Sequence, residues 1–236
     1  MKIKTQSYNS ESQRKVRAIL FDLHGVIIKN TFKVKEAKRA LLDKLGKLGL
    51  DISTISVDNT FMDIMVKAEK QVAESKKLDL EFLKKNIGAV LDEFDIQSIY
   101  QSELIKGAKS VIDELRRRGL KLGLITNSGR IGVEVALERF ALYGCFDVIV
   151  TRDDVERIKP SEESILKALS VLGCAPKEVA HVGDSWTDVE AAKNAGVMTI
   201  AIVGGISSKE RLLQASPDRI ISSLNELLEI VSEKWR

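Results

Sequence analysis

Six short apolar runs constrain this chain more than any other feature. They span residues 16–21, 120–126, 147–151, 179–182, 199–203 and 219–221. Each is close to continuously apolar instead of alternating, the pattern of parallel strands covered on both faces. Helical patterns lie between most of them. Val111, Ile112 and Leu115 recur at helical spacing before Gly119, and Ile165, Leu166, Leu169 and Leu172 before Gly173. Ser207 with Glu210 and Ser223 with Glu226 read as capping boxes that open the last two helices. Alternation of this kind predicts an α/β fold with a doubly wound, Rossmann-like parallel sheet.

One stretch breaks the alternation. Residues 33–95 carry three helical stripes in a row: Val34, Ala37, Leu41, Leu45, Leu48; then Phe61, Met65, Ala68, Val72; then Leu80, Leu83, Ile87, Val90, Leu91, Phe94. Three amphipathic helices can pack on one another as a small bundle. The expected organisation is a polar extension at 1–15, a core formed by 16–32 and 96–236, and an all-helical cap at 33–95 inserted after the first strand.

Composition removes other classes. With 44% hydrophobic and 30% charged residues, the chain is neither disordered nor collagen-like. Its longest apolar stretch, 197–206, contains two glycines and is too short to span a bilayer. A net charge of +3 leaves no electrostatic footprint for nucleic acid. Cys145 and Cys174 form no CxxC pair, and residues 1–15 lack the apolar core of a signal peptide. A cytoplasmic protein without membrane or nucleic-acid partners is the expectation. Nothing in the patterning specifies an oligomeric state.

The chemistry lies at strand ends. The first strand runs into Asp22-Leu23-His24-Gly25-Val26, and the second ends in Thr126-Asn127-Ser128. Open α/β sheets bind ligands at their carboxyl edge. A hydroxyl and successive backbone N–H groups at a helix start make an anion receptor there. After the third strand come Lys159 and Pro160, and after the fourth Gly183-Asp184-Ser185 with Asp188. Each segment alone also reads as an ordinary cap or turn. Together they supply a carboxylate nucleophile, an anion site, a cation and a carboxylate pair for a hard divalent metal, the parts needed for metal-assisted phosphoryl transfer.

This order resembles the haloacid dehalogenase-like hydrolase superfamily, in its helical-cap, phosphoglycolate phosphatase-like subgroup. The likeness covers roughly residues 16–32 and 96–234. It implies a phosphatase of small phosphorylated substrates that uses Mg²⁺. It also implies roles: Asp22 as the nucleophile that becomes an aspartyl-phosphate, with Thr126, Asn127, Ser128 and Lys159 binding the phosphoryl group. Asp22, Asp184 and the backbone carbonyl of His24 would hold Mg²⁺, with Asp188 supporting the metal or its waters.

His24 departs from the family pattern. Family phosphatases carry a second Asp there as general acid and base, whereas imidazole can do both jobs near neutral pH. The replacement leaves three readings open: a working acid–base group, a slow or substrate-restricted phosphatase, and a phosphate-ligand-binding relative. A dehalogenase-type enzyme or a phosphonate hydrolase with a Schiff-base lysine from the cap are further alternatives. His181 and Trp186 read as packing residues, and the lysines of the first cap helix as a solvated face.

Overall fold

A computed structural model describes residues 16–75 and 78–232. The extension expected at 1–15 lies outside the described residues. Six strands form one parallel sheet: β1 (Ala18–Phe21), β2 (Lys121–Ile125), β3 (Val148–Val150), β4 (Val179–Gly183), β5 (Met198–Ile202) and β6 (Arg219–Ile221). Their spatial order is β3-β2-β1-β4-β5-β6. All six apolar runs are therefore strands, with ends that agree to within two residues. The order reverses at β1, and that reversal places a crevice between the carboxyl ends of β1 and β4.

Four helices stand between β1 and β2 among the described residues, and the first three are α1 (Val34–Lys47), α2 (Phe61–Ser75) and α3 (Leu80–Gln101). Leu41 and Leu45 of α1, Ile64, Ala68 and Val72 of α2, and Leu83, Ile87 and Leu91 of α3 bury one another in a cluster of their own. Thr60 and Asp63 cap α2 reciprocally, and Asp79 caps α3 by accepting from the N–H of Phe82 at 2.9 Å. α3 passes position 95 without a break and ends at Gln101. The two crossings to the sheet pair as a short antiparallel ribbon. Lys29 N–H donates to the Glu103 carbonyl at 2.8 Å, and Ile105 N–H donates to that of Ile27 at 2.9 Å.

Helices α4 (Ala108–Arg117), α5 (Arg130–Arg139), α6 (Glu163–Leu172), α7 (Trp186–Asn194), α8 (Lys209–Ala215) and α9 (Glu226–Ile230) are the remaining α-helices among the described residues. Side chains alternate across a strand, so β1 feeds two cores. Ile19 and Phe21 pack with Val111, Ile112 and Leu115 of α4 and with Val133 and Ala136 of α5. Ala18 and Leu20 pack with Ile165, Ala168 and Leu169 of α6 and with Ala191 and Ala192 of α7. One expected cap shifts by a residue. Ser208, not Ser207, caps α8 through the N–H of Arg211, because the Ser207 hydroxyl already accepts from Trp186 N–H at 3.1 Å. At α9, Glu226 accepts from the backbone N–H of Ser223 at 2.9 Å, one half of the expected box.

Candidate active site

The crevice gathers the strand-end residues. Asp22 follows β1 directly, its backbone held by the Val182 carbonyl of β4 at 2.9 Å. Asp184 follows β4, and Asp188 lies in the first turn of α7, where its carboxylate also accepts from Ser185 N–H at 3.1 Å. All three aspartates are buried, and their carboxyl oxygens lie within 4.8 Å of one another. Glycines permit this crowding around Asp184. A Cβ at Gly25 would sit 1.9 Å from its Oδ2 and one at Gly205 2.0 Å.

Lys159 enters the same edge of the sheet from the segment that follows β3. Its buried ammonium donates to Asp22 Oδ1 at 2.6 Å, to Asp188 Oδ1 at 2.5 Å and to the Ile125 carbonyl at 3.1 Å. Asn127 fixes the Lys159 backbone: its Oδ1 accepts from Lys159 N–H at 3.0 Å and its Nδ2 donates to the carbonyl at 3.2 Å. The amide side chain of Asn127 therefore positions Lys159. Thr126 Oγ1 accepts from Ser128 N–H at 3.1 Å, a tight turn that folds the loop over the crevice.

Charge is unevenly distributed among the acids. Burial, the repulsion of Asp22 and that of Asp188 push Asp184 up to about 8. Burial pushes Asp22 up to about 7, with Asp188 adding to it and Lys159 opposing. Burial also acts against Asp188, but Lys159 and His181 outweigh it and hold that carboxyl below the usual carboxylate range. Lys159 stays firmly protonated, since its two carboxylate partners overcome the cost of burial. Two carboxyls thus remain short of positive charge.

His24 lines the same cavity, of about 280 Å³, together with Asp22, Thr126 and Asp184. Both ring nitrogens are buried without a hydrogen-bond partner among the described residues. Its ring meets that of Phe32 edge-on at 6.4 Å. Burial lowers its pKa, with Asp95 opposing.

A family model described as haloacid dehalogenase-like hydrolase matches residues 19–202. The chain belongs to this family. A curated relative, the pyrophosphatase PpaX of Bacillus cereus strain AH820, is 30% identical over 94% of this chain and 99% of its own. Crystal structures share the fold. A predicted phosphoglycolate phosphatase of Haemophilus somnus aligns at a TM-score of 0.63 with 21% identity, covering 94% of this chain and 99% of its own. A phosphonoacetaldehyde hydrolase-like protein of Oleispira antarctica aligns at 0.69 with 19% identity, covering 97% and 96%.

In this haloacid dehalogenase-like hydrolase, further residues that the motifs do not mark support or line the site. His181 is buried as expected, yet its Nε2 lies 3.2 Å from Asp188 Oδ1 and supports that carboxylate. Trp186 packs against Val189 and Leu212 and also lines the cavity, its ring beneath Arg211. Lys38 is not wholly solvated: it is half-buried, lines the cavity and lies 5.5 Å from the centroid of Phe61. Arg152 and Asp95, both buried, and Asp92, partly exposed, form an ion cluster between α3 and the core. Asp95 carried a readable signal, because it follows Leu83, Ile87 and Leu91 on the apolar stripe of α3. A charge on such a stripe demands a buried partner.

Asp22 and Asp184 suit a divalent cation: they are hard oxygen donors, close together, buried and short of positive charge. Among the described residues, no helix is long and apolar enough to cross a membrane.

Proposed function

We propose that the protein hydrolyses small phosphomonoesters with Mg²⁺ through an aspartyl-phosphate on Asp22. The observation that carries this reading is the meeting of Asp22, Lys159 and the 126–128 loop beside Asp184, a buried carboxyl with no ion-pair partner among the described residues. We read 33–95 as a cap over a core of 16–32 and 96–236, because its three helices bury their own cluster.

In this mechanism an Asp22 oxygen bonds to phosphorus as the bond to the leaving oxygen breaks. Lys159, the Thr126 hydroxyl and the Asn127 N–H hold the transferring phosphoryl group and neutralise its charge. His24 gives a proton to the leaving oxygen. It then takes one from the water whose oxygen attacks phosphorus, and the bond to Asp22 breaks to release phosphate. Mg²⁺ held by Asp22, Asp184 and the His24 carbonyl, with Asp188 behind, would supply further charge neutralisation. The unpartnered ring nitrogens of His24 support its proton-carrying role, since no protein group competes for them.

The test is turnover with and without Mg²⁺ across sugar phosphates, glycolate phosphate, nucleotides and pyrophosphate. Metal-dependent release of phosphate is expected. Phosphate binding with no turnover on any compound would assign the chain to the ligand-binding reading. A second catalytic reading rests on Lys38, the lysine of residues 33–95 that lines the inner cavity among the described residues; burial lowers its pKa. Such an amine suits Schiff-base chemistry on a phosphonate carbonyl compound. Borohydride trapping of substrate on Lys38 would establish it, and absence of any adduct removes it.

A further inference from the structure

Arg152 lies immediately after β3, in the core, and is buried. Three of its contacts run to the phosphate-binding loop or to the partner of that loop. Its backbone N–H donates to the Ser128 carbonyl at 3.1 Å. Its Nη1 donates to the Asn127 carbonyl at 3.3 Å and to Asp95 Oδ2 at 2.5 Å. The same Asp95 Oδ2 accepts from the backbone N–H of Gly129 at 3.1 Å. Nη2 binds Asp92, one turn earlier on α3.

Loop residues 127–129 are therefore held by two agents at once. Arg152, a core residue, takes the carbonyls of Asn127 and Ser128. Asp95, a residue of the inserted helices, takes the N–H of Gly129. The two agents are joined by their own ion pair, with side chains only 6% and 3% exposed. Close packing enforces the join. A Cβ on Gly129 would lie 2.2 Å from Asp92 Oδ1 and 2.5 Å from Arg152 Nη2, and one on Gly132 would lie 2.9 Å from the Cβ of Asp95. Arg152 cannot leave alone, because Asp95 would remain as an uncompensated buried charge.

We propose that Arg152 is a positioning residue that couples seating of α3 to phosphate binding. With Asp92 and Asp95 in place, its guanidinium pins the Asn127 carbonyl and so fixes the turn that carries the Thr126 hydroxyl and the Asn127 N–H to the phosphoryl group. Displacing α3 removes both carboxylates and frees the loop. The proposal rests on the phosphatase reading of the 126–128 loop.

The test uses the full chain with Mg²⁺, inorganic phosphate as competitive inhibitor and a phosphomonoester as substrate. Arg152→Lys keeps the charge but cannot reach both carboxylates and the carbonyl. It should raise the inhibition constant for phosphate roughly tenfold, the scale of coupling within one hydrogen-bonded network. Asp95→Asn should raise it as well, and the double variant should be no worse than the more damaging single one. Arg152→Met should be at least as damaging as lysine; if it fails to fold, the lysine and asparagine variants carry the comparison. Unchanged phosphate inhibition in Arg152→Lys, or additive effects with Asp95→Asn, would overturn the coupling while leaving the phosphatase reading intact. A wild-type protein that neither binds phosphate nor turns over would remove both.

Discussion

At the scale of single residues, two side chains divide the proposed chemistry. Asp22 must supply a carboxylate oxygen, and an amide of the same shape cannot. Asp22→Asn should lower turnover on the order of a thousandfold or more, with thermal unfolding little changed or improved, since a crowded negative charge is removed. Beryllium fluoride should trap an acyl-phosphate mimic on Asp22 of the native chain. Near-native rates in the Asn variant would sink the covalent mechanism. His24 is expected to matter in proportion to the leaving group's need for a proton. His24→Ala should cost an alkyl phosphate roughly a hundredfold or more and p-nitrophenyl phosphate much less, as general acid catalysis requires. Equal losses on the two would show that His24 shapes the cavity and carries no proton.

At the scale of elements, turns do the positioning. The loops after β1 and after β5 press glycines against Asp184, and Ile206 N–H donates to its Oδ2 at 2.6 Å. Gly205→Ala would drive a methyl into that carboxylate, 2.0 Å from Oδ2 and 2.3 Å from Cβ. A loss of about 1–3 kcal/mol is expected for such overpacking, together with weaker stabilisation by Mg²⁺. Chemical denaturation with and without the metal measures both. Stability and metal response equal to the native protein would mean the loop yields freely. The cap of α8 makes a second test. Ser208→Ala should cost about 1 kcal/mol by exposing a helix N–H, whereas Ser207→Ala should loosen the Trp186 turn instead. A larger effect of Ser208 on helix stability than of Ser207 is the outcome that distinguishes them.

At the scale of the whole molecule, the acid cluster makes folding stability depend on pH and metal together. Asp22 and Asp184 are pushed up to about 7 and about 8 in the folded chain, against roughly 4 when unfolded. Their ionisation therefore opposes folding. The penalty is fully present above about pH 8 and is relieved as pH falls through the folded values toward the unfolded one. Metal-free protein should gain thermal stability on acidification from pH 9 to pH 6. Mg²⁺ should raise the unfolding temperature, and by more at pH 8 than at pH 6, where protons compete for the same oxygens. Asp184→Asn should flatten the metal-free profile. A native profile that is flat or falls on acidification across this window would contradict the electrostatic account.

What the sequence determined by itself was whatever local pattern encodes. Continuous apolar runs between helical stripes specify buried parallel strands, because a strand covered on both faces must be apolar at every position. Motif residues directly after those runs then fall on one edge of one sheet, so Asp22, Thr126, Lys159, Asp184 and Asp188 were legible together. Tertiary structure alone decided the pairings. Arg152 meets Asp95 across 57 residues of chain, and Lys159 meets Asp22 across 137. No periodicity records such distances, and an arginine beside β3 looks like any solvated surface charge until α3 packs over it. The same holds for the carboxyls. Their spacing in the chain suggests a metal site, but which of them keeps its charge follows from burial and from the positions of Lys159 and His181, which only the folded chain brings within reach of Asp188.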